Sequence, residues 1–126
     1  MSLAAAATDR RWRRALGVGL ALVVGSLVPS PLERHEAFDR YGPDKWLHCL
    51  GHGVFAVAVA DAVAATGPDR ARAALVGLCL STGLGVAVGR LQRYVPGRVP
   101  ELADLTAGAL GSLAGVGWWY RTGDRS

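Results

Sequence analysis

Apolar residues in this chain do not follow the two-residue alternation of a strand. They form four long runs, separated by short polar breaks. The first spans Ala15 to Leu32 and carries no charge. The second spans Trp46 to Thr66, interrupted by Asp61. The third spans Ala73 to Gly89. The fourth spans Leu102 to Tyr120, with Asp104 near its start. Each approaches the roughly 17–25 residues that a helix needs to cross hydrocarbon. The third and fourth lack the polar face, repeating every 3.6 residues, that a helix of a soluble bundle requires. Lipid-exposed backbone must satisfy its own hydrogen bonds, so such runs are helices. The pattern predicts an all-α fold, a four-transmembrane-helix bundle. Its parts are a basic head at 1–14, a membrane domain at 15–120 and a tail at 121–126.

The breaks are chemically distinct. Gly67-Pro68-Asp69 is a turn signal followed by Arg70 and Arg72, and Arg90 to Glu101 is a tight connector containing Pro96-Gly97. Arginine distribution sets the expected orientation. Arg10, Arg11, Arg13 and Arg14 precede the first run, and eight cationic side chains fall on that side against six on the other. The first flank usually dominates, which places both termini in the cytoplasm of a multi-pass plasma-membrane protein. A basic stretch before an apolar run also describes a signal peptide. The run ends in Pro29-Ser30-Pro31 without an A-x-A-like cleavage site, which favours a retained anchor. Trp12, Trp46, Trp118, Trp119 and Tyr120 fall where an interfacial aromatic belt is expected.

Composition agrees. Hydrophobic residues make up 51% of the 126 and charged ones 19%, below the soluble norm of about 25%. There are 17 glycines, and small residues let membrane helices approach closely. Gly85-x3-Gly89 and Ala107-x3-Gly111-x3-Gly115 predict close packing of the third helix on the fourth, with Val116 facing lipid. The net charge of +4 does not suggest nucleic acid, because the basic residues sit at run borders and no base-reading motif is present. Cys49 and Cys79 lie inside apolar runs without CxxC spacing and read as small hydrophobes, with no disulfide framework expected.

Candidate chemistry gathers at the predicted extracytoplasmic ends. Asp44, His48 and His52 are spaced by four and share a helix face, with Lys45 beside it. Asp44 fits a helix start. Gln92, Arg98 and Asp104 occupy or flank the connector, and Arg90 opens it. Asp104 needs a partner, for which Arg98 and Lys45 are the candidates, with His48 in reach of the same cluster. The plain reading is an ion pair joining two loops. The functional one is a basic pocket for an anionic headgroup, since arginine's fork suits phosphate. His52 reads as a buried imidazole bonded to a helix carbonyl, and Asp61 as paired with Arg70 or Arg72. Cys49 points off the histidine face, so neither a metal site nor a cofactor is expected.

These residues carry a family likeness. Asp44-Lys45-x-x-His48, then Gln92, Pro96-Gly97-Arg98, and Asp104 before a small-residue helix resemble, in that order, the VanZ-like family of small membrane proteins, named for a teicoplanin-resistance protein. The likeness covers about Asp44 to Gly115. Gly89 stands where the family commonly has an acid, and Gly108 where it commonly has asparagine. The resemblance implies a multi-pass protein tied to the envelope or its glycans, and no reaction.

The expected function is to bind or shield an anionic lipid or glycan component of the envelope, with membrane lipids as partners. One alternative is an enzyme on lipid-linked phosphate or glycan substrates, with His48 as acid/base and Arg98 as phosphate clamp. Ser81 and Thr82 sit too deep in their run to suggest a nucleophile. The other alternative is a proton- or ion-coupled transporter using Asp61, His48 and His52, which with four helices would need a homo-oligomer.

Overall fold

The computed structural model describes residues 2–27, 43–94 and 102–123, except the side chains of 43–45 and 102–104. All regular structure among them is helical: α1 (Leu3–Leu27), α2 (Pro43–Ala64), α3 (Arg70–Leu91) with a 3-10 turn at Gln92–Tyr94, and α4 (Leu102–Gly123). Two stretches, Trp46–Ala64 and Arg70–Tyr94, are long and apolar enough to cross a membrane. α1 differs because Arg10, Arg11, Arg13 and Arg14 lie within it. It begins at Leu3, so these residues lie within its N-terminal half, in one helix with the apolar run that follows. α4 is rich in glycine and carries Trp118, Trp119 and Tyr120 in its last two turns.

The break before α3 forms as its residues require. Gly67 takes φ +121°, open to glycine and strained for other residues. Asp69 then caps α3, its carboxylate accepting from the Arg72 amide at 2.8 Å. Arg72 pairs loosely with the same carboxylate at 3.7 Å.

α2 is the central element, packed against α4, α3 and α1. Its core face is made of small residues. Ala56 and Ala60 join Ala73, Val116 and Trp119 in one buried cluster. The closest approach is α2 against α4, not α3 against α4. A Cβ added at Gly111 would run into the backbone carbonyl of Cys49, and one at Gly115 would lie 2.6 Å from the Gly53 carbonyl oxygen. Gly53 supplies the matching gap on α2, whereas Gly89 has nothing within 4 Å. Val116, expected to face lipid, is buried. α1 lies on α2 through Phe55 against Gly19 and Leu22 against Gly51.

Two charged residues pair differently from the expectation. Asp61 meets Arg11 of α1 at 3.6 Å, not Arg70 or Arg72. Both side chains are more than two-fifths exposed, so the pair contributes at most about 1 kcal/mol in water. Arg70 is held elsewhere. Its Nη2 donates to the Trp119 carbonyl at 2.6 Å, and its guanidinium lies 3.9 Å from the centroid of a Trp119 ring. Trp119 is therefore turned into the core, unlike Trp118, which is exposed.

Candidate functional site

The helices leave a cavity of about 310 Å³ between α2, α3 and α4. That is roughly ten water volumes. Its wall brings together four of the expected residues, His48, His52, Arg90 and Gln92, and adds Arg93. Asp44 falls in the first turn of α2 and Asp104 in the first turn of α4. The side chains of Asp44, Lys45 and Asp104, and the whole of Arg98, lie outside the described residues. Asp61 is absent from this wall. It lines a separate apolar groove with Arg11, Arg14, Cys49 and Trp118. Among the described residues no carboxylate lines the cavity, while Arg90 and Arg93 stand near the end of α3.

His48 and His52 lie one turn apart on α2. Their rings stack with centroids 6.3 Å apart and planes 17° from parallel. His52 is the deeper residue, 4% exposed. Small residues make room for it: a Cβ at Gly108 would sit 3.0 Å from its Cδ2, and one at Gly85 3.4 Å from its Cε1.

Among the described residues the His52 ring bonds a hydroxyl rather than a helix carbonyl. Its Nδ1 lies 3.1 Å from Ser81 Oγ, while Ser81 Oγ donates to the His52 carbonyl at 3.0 Å. Ser112 Oγ of α4 lies 2.7 Å from Ser81 Oγ and 2.8 Å from the Gly108 carbonyl. Ser81 and Ser112 are fully buried. Three helices are thus tied by one hydroxyl–imidazole network. In the sequence Ser81 looks too deep in its run to act, and Ser112 carries no signal of its own. The usable signal was that a hydroxyl within an apolar run must find a partner once buried.

Gln92 is buried, and its Nε2 donates to the Ser26 carbonyl near the end of α1 at 2.9 Å. Its place in the cavity wall is therefore also the attachment point of α1. Among the described residues no group of three His, Cys, Asp or Glu side chains is placed to hold a metal ion.

No family model, curated protein or solved structure matches the chain.

Proposed function

We propose that the protein is a four-span integral membrane protein, both termini cytoplasmic, whose α2–α3–α4 cavity binds the anionic headgroup of an envelope lipid or glycan at the extracytoplasmic face. The observation that carries this is the charge of the cavity wall. Arg90 and Arg93 stand near its end, the histidines lie deeper, and no described carboxylate opposes them. Basic pockets between membrane helices suit lipid headgroups.

Immersion is supported by what the helices expose. Leu16, Leu20 and Val24 of α1, Leu47, Leu50 and Val54 of α2, Leu75 and Leu80 of α3, and Leu110 and Leu113 of α4 all face outward. Apolar surface on every helix suits lipid better than water. The orientation rests on the arginines of α1, of which Arg11 meets Asp61 near the far end of α2 from His48. Reporter fusions at Ser126 and beside Ala37 are expected to report opposite sides, the first cytoplasmic. An external C-terminus would invert the site. The order of polar motifs from Asp44 to Asp104 fits a VanZ-like protein, and the reading does not depend on it.

The binding test is native mass spectrometry of the full chain purified in gentle detergent. Anionic lipid is expected to co-purify. Changing both Arg90 and Arg93 to Gln should weaken retention about tenfold, roughly 1.4 kcal/mol. Equal retention by the double variant would move the site elsewhere.

A further inference from the structure

A second hollow lies outside the headgroup reading. α1 and α4 both pack on α2 and leave an open groove of about 820 Å³ between them. Val18 of α1, Leu50, Val54 and Val57 of α2, and Ala114 and Trp118 of α4 line it. Leu50, Val54 and Trp118 are exposed there.

Every charged residue of its wall stands at one end. Arg11 meets Asp61 at 3.6 Å, and Arg14 follows one turn later on α1. The other end is Cys49, packed against Gly111. Asp61 and Cys49 are twelve residues apart on α2, about 18 Å at the helical rise. One leaflet of a ~30 Å hydrocarbon core is about 15 Å deep. The groove is thus about one leaflet long, ionic at its interfacial end and apolar beyond it.

The ionic end carries an unbalanced positive charge. Arg11 and Asp61 offset each other, and Arg13 is taken by Asp9 at 3.0 Å. Arg14 is exposed, and no acid among the described residues pairs with it. One phosphate diester supplies the matching negative charge, in the geometry that an arginine fork favours. Trp118 lies toward this end, because Gly115 meets Gly53 and α4 runs in the same direction as α2. An exposed indole there suits the glycerol and ester region of a lipid.

A second copy of the chain fits the groove less well. Inserted in the same orientation, it would bring its own cations to this level: the α1 arginines, Arg72 of α3 or Arg121 of α4. Like charges brought together oppose docking.

We propose that the groove holds one anionic phospholipid of the cytoplasmic leaflet, with its phosphate at Arg14 and one acyl chain running past Val54 and Leu50 to Cys49. The inference shares the membrane immersion argued above and is independent of the α2–α3–α4 cavity.

The test is photolabelling of the full chain in phosphatidylcholine nanodiscs. The probe is phosphatidylglycerol with a diazirine at the end of one acyl chain, and the reference is phosphatidylcholine carrying the same chain. Labelled residues are mapped by peptide mass spectrometry. At Cys49 and Leu50 the anionic probe is expected to exceed the reference about fivefold, the effect of one cation on an anionic lipid. At Leu75 and Leu80, exposed on α3, the two should label alike. Arg14→Gln should make the probes equal in the groove as well. Val54→Trp fills the groove at an exposed position without changing charge, and should abolish the excess.

Equal labelling of the groove by both probes in the unaltered chain overturns the proposal. So does an excess that survives Val54→Trp, which would mean attraction to the arginines without entry of the chain. Labelling by neither probe also overturns it, since a second copy or another helix would then cover the groove. Arg90→Gln with Arg93→Gln should leave groove labelling unchanged. An excess lost in that variant and kept in Arg14→Gln would assign the lipid to the cavity, refuting this inference and leaving the headgroup reading intact. Groove labelling as expected, with retention unaffected by the Arg90 and Arg93 changes, would refute only the headgroup reading. A chain that does not enter nanodiscs refutes both.

Discussion

Gly111→Ala is expected to destabilise the protein by about 3 kcal/mol or more, the upper end of what an inserted methyl group costs in a packed interior. The reason is what the methyl would meet. At most core positions a neighbouring side chain can rotate away, but here the obstacle is the Cys49 carbonyl and the backbone around it. Relief requires α2 and α4 to separate, and that also loosens Gly115 from Gly53, which meet backbone to backbone as well, though less tightly. Thermal unfolding in detergent measures the effect, with Ala87→Leu as the control. Ala87 is exposed on α3, and there the larger side chain should be nearly neutral. Equal melting temperatures for the two variants would mean that the helices do not cross at the glycines.

Arg70→Ala should cost about 2–4 kcal/mol by the same measurement. A charged donor bonded to a carbonyl contributes about 1.5–3 kcal/mol, and a cation over an indole about 0.5–2. Arg70 does both with one residue, Trp119, and so ties the start of α3 to the end of α4. Arg70→Lys should recover part of the loss, since an ammonium retains attraction to the ring but lacks the planar fork. Lysine performing as well as arginine would leave the geometry of the fork without a role.

The order of the elements was legible because apolar run length and Gly/Pro breaks depend on local chemistry. Gly67-Pro68-Asp69 is both the sequence break and the observed turn and cap. The placement of His48, His52, Arg90 and Gln92 on one cavity follows from spacing and from short connections. Partner choice was not legible. The glycine stripe of α4 faces α2 because Gly53 gives a second gap opposite it, and no pattern within α4 could say which neighbour had one. Asp61 chose Arg11, which is remote in sequence but nearby once α1 lies along α2. Ser81 and Ser112 look inert in sequence, since a hydroxyl carries no charge to single it out. Their importance arises where three helices meet.

The glycine crossing also bears on how the cavity can respond to an occupant. Side chains that interdigitate can swap rotamers and let two helices slide by small steps. Backbone against backbone has no such slack, so α2 and α4 form a single stiff plate. α3 is the remaining wall, and over its first half it too crosses the plate backbone against backbone, since a Cβ at Gly77 would run into the Ala56 carbonyl. The hydroxyls of Ser81 and Ser112 fix its offset just beyond that crossing. The compliance of the site therefore resides in the far half of α3, where a Cβ at Gly89 would meet nothing within 4 Å and Arg90 follows.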